Sequence, residues 1–134
     1  MKSIFLCFIH LIGLCALLGS GQSFAKDPMS LMLPVITPQL TPGKVVAKSA
    51  PTHIGMPLFI VGDDALSHRW LKARKSYLQS INAVGMVVNV KSEGGLARMN
   101  SYGLTLYPVP GKDFAKAFGL KHYPVLIENK QIKQ

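Results

Sequence analysis

The stretch Asp113-Phe-Ala-Lys-Ala-Phe-Gly-Leu-Lys-His-Tyr-Pro-Val-Leu-Ile-Glu-Asn-Lys130 decides how this chain folds. Phe114, Ala117 and Phe118 fall at i, i+3 and i+4, giving a short helix one apolar face. Gly119 follows, a residue free to take the left-handed conformation that ends a helix. Val125, Leu126 and Ile127 form an apolar run suited to a covered strand, and Glu128-Asn129-Lys130 supplies a turn. Pro124 has no amide hydrogen for a sheet ladder. It belongs at an edge, at the first residue of a strand, or in a cis bond that turns the chain.

Upstream, Pro57-Leu-Phe-Ile-Val61 is a strand closed by Gly62-Asp63-Asp64. A long helix is expected from about Ser67 to Ala83, with Leu66, Trp70, Tyr77, Leu78 and Ile81 on one face and Leu71 beside it. Asp63, Asp64 and Ser67 offer side-chain oxygens to the open amides at its start. Gly85 is read as its stop and Met86-Val-Val-Asn-Val90 as the second strand. Strand, helix and strand with short connections imply a parallel pair with a right-handed crossover. Lys91 to Gly95 reads as a loop and Leu96 to Tyr102 as a helical turn closed by Gly103. Leu104 to Val109 is either a short strand or an extended lead-in to the closing helix, with Pro108 and Pro110 limiting it. The order is β-α-β-(α)-α-β-β, an α/β domain over residues 57–134.

The segment Gly119-Leu-Lys-His-Tyr-Pro-Val-Leu-Ile127 resembles the part of thioredoxin-fold proteins where a helix ends, a cis-proline follows and a sheet strand begins. The layout of residues 57–134 resembles that family as a whole, except that its pattern closes with a helix after the last hairpin, beyond Gln134 here. The resemblance implies a thioredoxin-like fold in which the Pro124 loop approaches the start of the long helix and contacts bound peptide.

Ahead of this domain, residues 1–25 pair Lys2 with an apolar run from Ile4 to Leu18 and end in Ser23-Phe24-Ala25. That is the pattern of a cleaved secretory signal peptide, which predicts a periplasmic protein. The apolar run is shorter than the ~20 residues of a usual spanning helix, so no stable membrane span is expected after cleavage. Residues 26–56 are rich in proline (Pro28, Pro34, Pro38, Pro42 and Pro51), which blocks helix and central strand alike. Leu31, Met32, Leu33, Val35, Ile36, Leu40, Val45 and Val46 are too many apolar residues for a solvating linker. This segment reads as an arm that docks on a partner and is poorly ordered alone, or as one edge strand around Lys44–Lys48.

Both cysteines, Cys7 and Cys15, lie in the signal segment, so residues 26–134 hold no thiol for a disulfide, a nucleophile or a metal. In thioredoxin-like enzymes the redox cysteines sit where the first long helix begins. The matching stretch here, Gly62-Asp-Asp-Ala-Leu-Ser-His-Arg-Trp70, has none, and disulfide exchange requires a thiolate. Asp63, Asp64 and His68 are ligand-type side chains within six positions, but capping accounts for an acid and no metal or cofactor is expected. Ser67 and His68 are helix neighbours that do not face each other, and there is no Gly-x-Ser-x-Gly elbow, which argues against a hydrolase. Trp70 reads as core. His122, Tyr123 and Pro124 are the foremost partner-binding candidates, with Asp63, Asp64 and His68 across from them; Tyr123 is read equally as buried or exposed.

Residues 26–134 carry 14 Lys and Arg against six Asp and Glu, a net charge of +8, Lys2 being the one charge lost with the signal. No two lysines are adjacent, which reads as a solvated basic surface rather than a dedicated nucleic-acid face. Phe59-Ile-Val-Gly-Asp-Asp64, Ser67-His-Arg-Trp-Leu71, Ile81 to Val90, Tyr107-Pro-Val-Pro-Gly111 and His122 to Ile127 together resemble one group of exported proteins encoded on integrative conjugative elements. More distantly, the chain is similar to thiol-free, thioredoxin-like periplasmic assembly proteins of F-type conjugation. These resemblances imply a non-enzymatic component or assembly factor of a type IV secretion apparatus for DNA transfer, with other conjugation proteins as partners. The competing readings are a thiol-independent chaperone or isomerase-like protein and a basic DNA-binding accessory protein.

Overall fold

A computed structural model describes residues 28–134; the signal-peptide reading of residues 1–25 lies outside them. After a 3-10 turn at Pro28–Met32 come two short strands, β1 (Thr41–Pro42) and β2 (Lys48–Ser49). The main body then runs β3 (Leu58–Gly62), α1 (Ala65–Ser80), β4 (Val84–Asn89), α2 (Glu93–Asn100), β5 (Thr105–Pro108) and α3 (Lys112–Phe118). It closes with β6 (His122–Tyr123), β7 (Val125–Glu128) and β8 (Gln131–Lys133). Six strands form one mixed sheet in the order β2-β8-β7-β3-β4-β5. The β3–β4 and β4–β5 pairs are parallel, whereas β7 is antiparallel to β3 and β8 to β7. The protein is therefore a mixed α/β fold with a central sheet and, among the described residues, three α-helices.

The central strand β3 is buried at every position, and its alternation divides the interior in two. Phe59 and Val61 join Trp70, Leu71 and Leu78 of α1 and Leu96 and Met99 of α2. Leu58 and Ile60 join Ala115 and Phe118 of α3, Val125 and Ile127 of β7, and Leu40. A strand covered on both faces must be apolar throughout, which is why Leu58–Val61 shows no polar alternation. Trp70 is core, its ring 6.1 Å from that of Phe59.

Several local expectations shift. The helix α1 starts at Ala65 and ends at Ser80, and Asn82 rather than Gly85 takes the positive φ after it. Gly85 sits inside β4 because the Phe59 and Leu106 side chains pass over it; a Cβ there would lie 2.3 Å from Phe59 and 2.5 Å from Leu106. On α3 the buried residues are Ala115 and Phe118, with Phe114 half-covered and stacked on Phe118 at 6.0 Å, while Ala117 is exposed. On α1 Tyr77 is 39% exposed and Leu71 is fully buried. The segment 104–109 resolves into the edge strand β5. Gly119 caps α3 in the left-handed conformation, as read from the sequence, and the Leu33–Pro34 and Tyr123–Pro124 bonds are cis.

The proline-rich segment lies on the domain. Val35 forms a two-way backbone bridge with Val90, β1 pairs with β6, and β2 pairs with β8. Val35, Thr37 and Leu40 are buried. Val35 and Leu40 reach the core in spite of the prolines, with Leu33 and Val45 partly buried, whereas Leu31, Met32, Ile36 and Val46 stay exposed. The expectation of an arm poorly ordered alone thus gives way, over these residues, to a segment packed on its own domain.

Two substitutions test this packing. Gly85→Ala should destabilise the protein by about 1–3 kcal/mol, since overpacking beside the fully buried Phe59 forces its ring to move. Leu40→Ala should cost about 2–5 kcal/mol for the cavity left at a residue 1% exposed. Both are read from urea unfolding midpoints, and a Leu40→Ala midpoint equal to wild type would mean the arm is not part of the core.

Candidate functional site

The junction between β3 and α1 carries three of the residues singled out from the sequence. Asp64 has extended backbone and caps α1, its Oδ1 accepting from the Ser67 amide at 2.8 Å. Its Oδ2 accepts from the Ser67 hydroxyl at 2.8 Å, and the Ser67 oxygen in turn accepts from the Gly62 amide at 3.1 Å. Ser67 is thus buried and fully engaged.

Asp63 points the other way, toward α2. Its Oδ1 lies 2.8 Å from His68 Nε2 and its Oδ2 2.9 Å from an Arg98 guanidinium nitrogen. His68 Nδ1 lies 2.6 Å from the Tyr102 hydroxyl. With a carboxylate at Nε2, a neutral imidazole carries its proton on that nitrogen, leaving Nδ1 to accept from Tyr102. The resulting chain Arg98–Asp63–His68–Tyr102 ties the end of β3 to α1 and to α2 and its C-terminal end. Gly95 permits the approach, since a Cβ there would lie 2.5 Å from Asp63 Oδ2.

Burial alone would raise the Asp63 pKa, but hydrogen bonds and charge from Arg98 and His68 outweigh it and hold the carboxyl below its ordinary value. Burial, with a contribution from the Asp63 charge, pushes the Tyr102 hydroxyl up, so this tyrosine stays protonated as a donor at neutral pH. Beside the network a surface cleft of about 470 Å³ is lined by Val35, Ile36, Asn89, Lys91 and Arg98 as well as Asp63.

The Pro124 loop does approach the helix start. The Tyr123 ring lies against Gly62, where a Cβ would come within 2.7 Å of it, and its hydroxyl accepts from Asn89 Nδ2 at 3.1 Å. Tyr123 and Pro124 are both buried, which resolves the open reading of Tyr123 and leaves His122 as the exposed member of the trio. Burial chiefly raises the Tyr123 pKa. The loop's backbone is also engaged: the Thr41 amide donates to the Lys121 carbonyl at 3.1 Å and the Gly43 amide to that of Tyr123 at 3.0 Å. Thr41 Oγ1 lies 3.1 Å from His122 Nδ1. The chain's own arm therefore covers this stretch of the loop's backbone.

The structure thus brings Asp63 and His68 together, sets Asp64 apart as a cap, and places Tyr123 against Gly62 next to both acids. Four participants escaped the sequence reading. Arg98 and Tyr102 complete the Asp63 network. Asn89 joins β4 to the arm through Thr37, whose amide donates to Asn89 Oδ1 at 2.7 Å, and through the Leu40 carbonyl at 3.1 Å. Thr37 Oγ1 donates to the Val88 carbonyl and accepts from the Gly111 amide. A lone asparagine inside the apolar run 86–90 was the available signal for Asn89; Arg98 and Tyr102 carried none. Among the described residues, no group of three or more His, Cys, Asp or Glu side chains could hold a metal ion, and no helix is long and apolar enough to cross a membrane.

Fold and site define a mixed α/β protein whose helix-start junction is filled by paired polar groups. The chain belongs to the family described as protein of unknown function (DUF2859), whose model matches residues 19–132. No curated protein and no solved structure matches it.

The low Asp63 pKa makes a directional prediction. A carboxyl held below its unfolded value, here 3.8, contributes stability that is complete above that value and is lost as pH falls through the lower folded value. Asp63→Asn should therefore cost about 1–3 kcal/mol at pH 7, the range for breaking charged hydrogen bonds. The gap between variant and wild type should narrow below pH 3.8 in acid titrations followed by circular dichroism. A gap that stays constant to the acid limit would rule out this source of stability.

Proposed function

We propose that the fold is thioredoxin-like and that the protein is a non-enzymatic, exported component or assembly factor of a conjugative DNA-transfer apparatus. The fold reading is supported by the order β8-β7-β3-β4 within the sheet, by the antiparallel β7, and by Pro124 standing immediately before that strand. It is also supported by α1 and α3 packing on opposite faces. The strand β5, parallel to β4, extends the sheet on one side and β2 on the other.

The observation that carries the non-enzymatic reading is the state of the helix-start junction. Asp64 is used up in capping, Asp63 in bonds to His68 and Arg98, and Ser67 in a buried hydroxyl pair. Groups that satisfy one another in this way rigidify the junction, which suits a surface held in one shape for a partner. The conjugation reading rests on the sequence resemblance, and an exported scaffold that meets its partners by surface contact fits the geometry.

Deleting the gene from a host element should abolish or strongly reduce conjugative transfer. Supplying the full chain in trans should restore it, while residues 26–134 expressed without the leading segment should not. Normal transfer frequency in the deletion strain would overturn the conjugation role.

A further inference from the structure

Two depressions on the α3 face of the protein meet at Leu120. The first, of about 170 Å³, lies between residues 44–48 of the arm and residues 119–122, with Lys44, Lys48, Lys121 and His122 around Val45 and Val46. The second, of about 290 Å³, adds Lys112 and Lys116 beside Ala115. Five lysines thus line the two neighbouring depressions, and no aspartate or glutamate lines either one. Lys48 donates to the Gly119 carbonyl at 3.0 Å, at the C-terminal end of α3. Lys44, Lys112, Lys116 and Lys121 make no ion pair with any described residue. Like charges gathered without counter-charge repel one another, and a polyanionic partner relieves that repulsion.

Two further features select the kind of polyanion. Val46 is 74% exposed beside half-buried Val45, so the slot has apolar walls suited to an aliphatic side chain. The backbone amides and carbonyls from Lys44 to Ala47 make no hydrogen bond within the described chain, although β1 before them and β2 after them are both paired. A stretch with free backbone groups between two paired strands offers a peptide a place to add as a strand. A nucleic-acid strand would call for stacking platforms, and the only ring lining either depression is the His122 imidazole, already bonded to Thr41.

We infer that this surface binds an extended acidic segment of a partner protein. The segment pairs its backbone with Lys44–Ala47, sets an aliphatic side chain into the Val45–Leu120 slot and directs carboxylates to Lys44 and Lys121. The site deepens the interaction-protein reading above and depends on that reading alone, not on conjugation.

The test is fluorescence anisotropy of the purified protein with a labelled heptapeptide alternating glutamate and valine. The same peptide with glutamine for glutamate and a twelve-nucleotide oligo-dT serve as further probes. The acidic peptide should bind with micromolar affinity that weakens as salt rises. The double substitution Lys44→Glu with Lys121→Glu should weaken it at least tenfold, whereas Lys72→Glu on α1 should change it less than twofold. Amide exchange at Val45, Val46 and Ala47 should slow in the complex. Equal binding of the glutamine peptide, tighter binding of oligo-dT, unchanged affinity in the double variant or unchanged exchange would each overturn the inference. Because circular dichroism of the double variant checks its folding and transfer frequency is measured separately, loss of the peptide site and loss of the conjugation role are distinguishable. Peptide binding with normal transfer in the deletion strain keeps the site and removes the role.

Discussion

The arrangement depends on one half-buried side-chain amide. Asn89 stands at the end of β4, after the apolar run Met86, Val87 and Val88, and it satisfies main-chain groups that the proline-rich arm would leave bare. Its Oδ1 accepts from the Thr37 amide, and its Nδ2 donates to the Leu40 carbonyl and the Tyr123 hydroxyl. An irregular segment pressed against a sheet has no ladder of its own, and each buried backbone group without a partner costs free energy comparable to a lost hydrogen bond. One side chain with both donor and acceptor meets several of these needs at once. That is how the buried Leu40 is held against the sheet.

The sheet explains why such an arm is wanted. One of its faces is covered by α1 and α2, but the other has only the seven-residue α3 as helical cover. Leu58, Ile60, Met86, Val88 and Ile127 all point to that second face, more apolar surface than one short helix covers. Leu40, with the partly buried Val45, Ala50 and Ile54, fills the remainder. Hydrophobic burial therefore recruits residues whose local sequence argues against regular structure, and tertiary contact overrides the proline spacing.

Much of the frame was legible because local rules agreed with one another. The apolar run at 58–61, the acids before α1 and the glycine after α3 each announce themselves by chemistry that acts within a few residues. The misreadings share a different cause. Gly85 looked like a helix stop, yet its lack of a side chain answers to Phe59, a neighbour across the sheet. Ala117 matched a helical stripe but is exposed, because the sheet lies beneath Ala115 and Phe118. Asp63, Asp64 and His68 were legible as a cluster within six positions, whereas Arg98 and Tyr102 stand 35 and 34 residues away from their partners Asp63 and His68 in sequence. Periodicity carries no information at such separations. Thr37 was hidden for the same reason, since its partners are at Val88, Asn89 and Gly111.

The pairing of β1 with β6 changes how the Pro124 loop is available to other molecules. The carbonyls of Lys121 and Tyr123 already receive hydrogen bonds from Thr41 and Gly43, which belong to the same chain. A tethered segment of this kind acts at an effective concentration on the order of millimolar. Any external strand aimed at the same carbonyls faces an intramolecular rival that dilution cannot remove. Its apparent affinity is then its intrinsic affinity scaled by the fraction of molecules in which Thr41–Gly43 has lifted away. The loop behaves as a self-occupied seat, and the strength of the arm's hold sets the threshold at which a newcomer is admitted.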